Sequence, residues 1–228
     1  MVNNPWSELP SRIPFVLHAD LEAIQEFNAK PNRKDEHVIR VDVLPEPFVG
    51  SKDAPVLLLS NNPGYGEEAV HKQESAFMDR MRANLHHQPV AYPFVYLDPA
   101  LSEPLKKWWR PKLKHSLERF GPEFGPEVVA RSILNVVYFP YASQRFKHGK
   151  LNLDSQQYGF QLVRAAMERN AVIVRFRKGM HWFKAVKGLE GYARLYRVKN
   201  FQNPTISPKN CEHFEEIVKA IREAEKNK

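Results

Sequence analysis

Pro55-Val-Leu-Leu-Leu-Ser-Asn-Asn-Pro-Gly-Tyr-Gly66 joins two stretches with different physics. Residues 56–59 form an unbroken apolar run with a β-branched start and a turn signal on each side, the pattern of a strand buried on both faces. Residues 60–66 break that pattern. Pro63 cannot donate to a ladder and Gly64 permits positive φ, so the chain must turn here. Glu67 and Glu68 then begin a predicted helix, where acidic side chains suit the positive end of the dipole. A buried parallel strand ending in polar residues delivers them to the crevice where open α/β sheets place their sites.

Working outward, residues 132–139 and 171–176 read as further apolar strands and residues 192–198 as a fourth. In the first of these, Asn135 is a lone polar residue. Val38, Arg40 and Asp42 alternate with Ile39, Val41 and Val43, which predicts another strand, and residues 45–55 read as a proline-rich loop. Helices are predicted over residues 18–30, 67–86, 155–169, 179–187 and 211–226. Residues 100–120 form an interrupted helix holding Trp108 and Trp109 between Pro104 and Pro111, and residues 121–126 (Gly-Pro-Glu-Phe-Gly-Pro) form a hard break. Strands separated by helices give the β-α-β rhythm of a parallel sheet. The expected fold is α/β and three-layered, with a central four-stranded, mainly parallel sheet and helices on both faces. Residues 1–228 are read as one domain, with a lead and first elements over 1–44 and a core over 45–220.

Composition bounds the function classes. A chain of 228 residues can build a sizeable core. No membrane-spanning run or secretory leader is present, so a soluble, cytoplasmic protein is expected. One cysteine, Cys211, excludes an intramolecular disulfide, a four-cysteine zinc site and a cysteine-held iron–sulfur cluster. The histidines form no metal spacing with carboxylates, and no phosphate-binding glycine loop or nucleophile elbow occurs. The net charge of +8 permits a polyanionic partner, although on charge alone a basic soluble enzyme is the plainer reading.

Three asparagine features recur at strand ends or within a buried strand: Ser60-Asn-Asn-Pro-Gly64, Asn135, and Asn203-Pro-Thr-Ile-Ser-Pro208. Each has a plain structural reading, as a turn or a satisfied buried amide. Their order and strand context resemble the uracil-DNA glycosylase superfamily, closest to its mismatch-specific and single-strand-selective branches. Those branches have a strand followed by Gly-x-Asn-Pro-Gly, a later strand carrying a base-reading Asn, and a final His-Pro-Ser-Pro or Asn-Pro-Ser-Gly motif before the last helix. The resemblance spans roughly residues 45–220.

The resemblance implies roles for individual residues. The Asn62 carbonyl would hold water against the anomeric carbon, acting by orientation and electrostatics because an amide is a poor base. Asn203 would be the second catalytic residue. Asn135 would read the base edge, with Phe94 stacking on the base and Gly64 and Tyr65 walling the pocket. Ser207 and Lys209 would grip phosphates with Thr205 beside them, Ile206 would wedge where a base left, and Ser143 and Arg145 would line the same DNA face. Phe94 as a core aromatic, Tyr65 as a surface residue and 203–208 as a stiffened connection stand as alternatives.

The resemblance therefore implies a monomeric, cofactor-free and metal-free DNA glycosylase that releases uracil or a related damaged pyrimidine. It would be monofunctional, since no lysine falls within the two motifs. Departures are Ser60 for the first glycine, Asn203 where more active branches have His, Ile206 within the final motif, and Arg175-Phe-Arg-Lys178 where a glycine turn is common. Two rival readings are a non-cleaving nucleic-acid binder of the same fold and a hydrolase of free nucleosides or nucleotides.

Overall fold

The computed structural model describes residues 3–178 and 180–227, with backbone alone for 121–124. It is an α/β fold built on a five-stranded sheet in the order β1-β3-β2-β4-β5. Helix α1 (His18–Asn28) precedes β1 (Phe48–Gly50) and β2 (Val56–Ser60). Then follow α2 (Ser75–Leu85), α3 (Glu103–Lys106), α4 (Trp109–Ser132) and β3 (Ile133–Val137). Helix α5 (Gln156–Glu168), β4 (Val172–Arg175), α6 (His181–Ala185), β5 (Leu195–Arg197) and α7 (Phe214–Lys226) complete the chain.

The four strands read from apolar runs pair in parallel: β2 with β3, β2 with β4, and β4 with β5. The fifth, β1, is a correction to the expected four-stranded sheet. It lies in the stretch read as a loop and pairs antiparallel with β3, Val49 opposite Asn135. Its neighbour Pro47 still serves the ladder, accepting the Val137 N–H at 3.1 Å through its carbonyl. The alternation over residues 38–43 does not make a strand. That segment follows a 3₁₀ turn (Asp35–His37), and among the described residues its only β-pairing is an isolated bridge between Arg40 and Ala142.

The helix expected over 67–86 divides into a 3₁₀ segment (Glu67–Gln73) and α2. Helix α4 is two helical stretches meeting at a kink at Gly125 (φ 73°), within the break expected at 121–126. Residue 179, at the start of the expected helix over 179–187, lies outside the described residues.

Every residue of β2 and β3 is buried. Helix α5 packs on β3 and β4, while α7 packs on β2 and β4 and also against α4. From β2, the chain crosses to β3 on one side and later to β4 on the other. The carboxyl end of β2 is thus the point where winding direction reverses, which leaves a crevice beyond the strand ends. Among the described residues, no helix is long and apolar enough to cross a membrane.

Gly50 closes β1 at φ 124°, and a Cβ there would sit 2.1 Å from the Ile133 carbonyl oxygen. Gly50→Ala is expected to destabilise the fold by ~3 kcal/mol or more, read by urea unfolding; an unchanged midpoint would refute this packing.

Two imidazoles make stability pH-dependent. Burial, then the Lys52 charge, lowers His87 to about 4; burial, then Arg33 and His37, lowers His148 to about 3. Both folded values lie below the free value, so the unfolded chain binds more protons in acid. Their contribution is complete above about pH 6.5 and is lost as pH falls towards the folded values. Urea titrations from pH 7 to 5 should show falling stability, and a flat profile over that window would contradict the burial of these rings.

Candidate active site

A cavity of about 380 Å³ opens at the carboxyl ends of β2 and β3. Ser60, Asn61, Asn62 and Gly64 line it from the end of β2, Asn135 and Val137 from β3, and Arg177 from just after β4. Strand pairing carries these residues into place. The Ser60 carbonyl accepts from Tyr138 N (3.0 Å) and Trp182 Nε1 (3.2 Å), and the Asn61 carbonyl accepts from Phe139 N (2.8 Å). The ladder therefore continues one residue past β2 before the chain turns.

Two of the amides lining the cavity, Asn62 and Asn135, are each held by a hydroxyl. Asn62 Nδ2 donates to Ser143 Oγ (2.9 Å) and to the Pro63 carbonyl (2.8 Å). No hydrogen bond among the described residues engages its Oδ1. Ser143 is 1 % exposed and passes its own proton to the Arg145 carbonyl (3.2 Å). Ser60 Oγ donates to Asn135 Oδ1 at 2.8 Å, which fixes that amide with its NH₂ edge free of such partners among the described residues. A serine where the resembled motif has glycine thus has a direct structural consequence: it sets the direction of the Asn135 amide.

One wall is a buried polar network. Lys72 Nζ donates to Glu46 Oε1 (2.7 Å) and to the Gly64 carbonyl (3.2 Å), and Tyr96 Oη donates to Glu46 Oε2 (2.5 Å). Burial, then the Glu46 charge, pushes the Tyr96 hydroxyl well above its usual value, so it stays a donor. The lysine ties the Asn-Pro-Gly turn to the wall. Trp108 and Trp109 complete the lining on that side.

Of the residues expected in the pocket, Asn62, Gly64 and Asn135 line it, and Ser143, expected on the DNA face, lines it too. Gly64 is not among the residues with positive φ, so the turn does not use that freedom. Phe94 does not line the cavity. It is fully buried behind Trp109, edge to face at 4.8 Å, and Tyr96 and Trp109 present the aromatic surface instead. Tyr65 points away from the cavity, donating to Asp42 Oδ2 (2.8 Å) under the Arg40 guanidinium.

The 203–208 loop lies at the rim. Arg177, which lines the cavity, donates to the Phe201 and Gln202 carbonyls just before that loop. Asn203 is exposed outside the cavity, its Oδ1 held by Lys112 Nζ. Lys112 also lies over the Trp108 ring, 5.2 Å from its centroid. Ile206 is 1 % exposed and donates its N–H to the Lys112 carbonyl (2.8 Å), so the expected wedge is a buried anchor. Ser207 is also buried, accepting from Asn210 N (3.2 Å), and Thr205 Oγ1 accepts from Asn210 Nδ2 (3.0 Å). These bonds brace the loop internally. Lys209 is exposed, and the exposed Arg145 pairs with Glu36 (3.1 Å).

Sequence reading missed Glu46, Lys72, Tyr96, Trp109 and Arg177. Only the aromatic run at 92–96 and the paired tryptophans carried any signal, because the ion pair joins residues 26 positions apart. Among the described residues, no group of three or more His, Cys, Asp or Glu is placed to hold a metal.

Lys72→Met strands a buried carboxylate and is expected to cost ~3–5 kcal/mol in urea unfolding, much of it recovered in Lys72→Met/Glu46→Gln. A near-neutral single variant would show that the pair is not held as described. No family model matches the sequence, and no curated protein or solved structure matches it significantly.

Proposed function

We propose that the chain is a monofunctional DNA glycosylase of the uracil-DNA glycosylase type. It would hydrolyse the N-glycosidic bond of uracil or a related damaged pyrimidine, inside the cell and in base excision repair. The observation that carries this reading is the convergence of Asn62 and Asn135 on one cavity at the reversal point of the sheet.

Breaking the bond develops positive charge on the sugar and negative charge on the leaving base. The unengaged Asn62 Oδ1 suits a water held against the anomeric carbon, since Ser143 already takes the amide N–H. The Asn135 NH₂ edge suits a base carbonyl, and its hydrogen bonds strengthen as the base becomes anionic. A base bearing an amino group at that position would meet donor against donor. Tyr96 and Trp109 supply a stacking wall, and Arg177 adds positive charge. The Lys72 amine is committed to Glu46 and Gly64, which favours water over an amine nucleophile.

DNA is favoured over a free nucleoside by a second cavity of about 920 Å³ that shares Trp108 and Glu68 with the first; Glu67 and Glu103 also line it, Glu103 pairing with Lys106 and Arg110, while Lys107 and Lys112 have no ion-pair partner among the described residues. The position of Asn203 outside the pocket supports one alternative, a binder of the same fold with little turnover.

Single- and double-stranded oligonucleotides containing deoxyuridine test the proposal by alkali-revealed cleavage. Abasic product is expected, with no borohydride-trapped adduct, and Asn62→Ala should lower the rate about 10²-fold or more. No product from stoichiometric protein on uracil and several other lesions would reject the activity; tight, salt-dependent binding in that case would support the binder.

A further inference from the structure

A third cavity, about 530 Å³, lies beside the base pocket and shares Phe146 with it. Its charge is one-sided. Lys30, Arg33, Lys147 and Lys150 line it together with His148 and His181, and no carboxylate does. Basic residues elsewhere on the chain are paired repeatedly with acids, yet none of these four cations has an ion-pair partner among the described residues. The nearby Glu36 is already occupied by Arg145 and His37.

His148 gives a second, independent observation. It is 1 % exposed, and neither ring nitrogen has a hydrogen-bond partner among the described residues. Its ring is packed among Phe27, Phe139 and Phe146, with the Phe139 centroid at 4.0 Å. Burial and the Arg33 charge keep it neutral, so one nitrogen carries a proton with no acceptor. Buried polar groups without partners are rare and call for an explanation. A water would satisfy the imidazole but leave four cations unbalanced, whereas an oxyanion answers both. The Arg33 guanidinium is also ordered in advance: it lies 3.6 Å over the Phe27 ring, with Nε donating to the Phe27 carbonyl at 3.1 Å. That leaves its terminal nitrogens for a forked contact.

We propose that this cavity, formed by α1, the turn after it and the 146–151 loop, binds a phosphate group, with Arg33, Lys147 and Lys150 neutralising it and His148 donating to one oxygen. The group is either a phosphodiester of a strand whose base enters the neighbouring pocket or a free phosphate. The first source rests on the glycosylase reading; the site itself does not.

Inorganic phosphate titrated at low ionic strength into protein with labelled histidines tests the site, with chloride as control. A saturable shift of the His148 ring signals is expected. Lys147→Ala/Lys150→Ala, made at exposed positions and checked for an unchanged melting temperature, should weaken phosphate binding at least tenfold. A short single-stranded oligonucleotide provides the second arm. If its affinity also falls, with a salt dependence shallower by about one for each phosphate no longer neutralised, the group is a phosphodiester. If only inorganic phosphate binding falls, the site serves the free ion. The proposal is overturned if His148 does not respond to phosphate, or if the variant binds phosphate as the parent does. Neither result needs base release, so failure here and failure of the glycosylase activity are separately visible.

Discussion

The parallel pairing of β2 with β3 places Leu58 beside Asn135 and Ser60 beside Val137, so both strands deliver polar groups to the same crevice. The two strands are sealed on both faces, and burying Val56 and the three leucines after it contributes roughly 1.5–3 kcal/mol per side chain. A shift of one residue in this register would turn Asn135 to the opposite face of the sheet. It would also break the Ser60–Asn135 hydrogen bond, which links the end of β2 to the middle of β3 directly. Site geometry is therefore secured by the hydrophobic energy of the sheet rather than by the loops.

The loops are clipped to that frame by polar bonds. Ser143 N donates to the Pro63 carbonyl, Ser143 Oγ holds Asn62, and Lys72 holds the Gly64 carbonyl. Buried ion pairs add little net stability over apolar packing. The Glu46–Lys72–Tyr96 network is better understood as orientation, keeping the Asn-Pro-Gly turn rigid while leaving the Asn62 carbonyl unengaged.

The parallel strands were legible because continuous apolar runs bounded by turns have few other uses, and the polar turn after β2 and the lone amide inside β3 marked Asn62 and Asn135. Strand β1 was not, since three residues between prolines carry no periodicity. The clean alternation at 38–43 misled because no neighbouring strand is there to use it. Side-chain direction was the other limit. Phe94, Tyr65 and Ile206 lie near the right motifs, yet aromatic packing behind Trp109, the Asp42 hydroxyl bond and burial of the final loop turn them away from the cavity. Pairings between distant residues, as in Glu46 with Lys72, leave no local pattern to read.

On the proposed function, Ser60 fixes Asn135 so that its NH₂ edge meets a base carbonyl inside the strand-end cavity. A crystal structure with uracil bound tests it most directly. The account predicts a uracil carbonyl oxygen within hydrogen-bonding distance of Asn135 Nδ2, the ring against Tyr96 or Trp109, and the Ser60–Asn135 bond intact. Uracil seated elsewhere, or an Asn135 amide reversed to accept from the base, would contradict it.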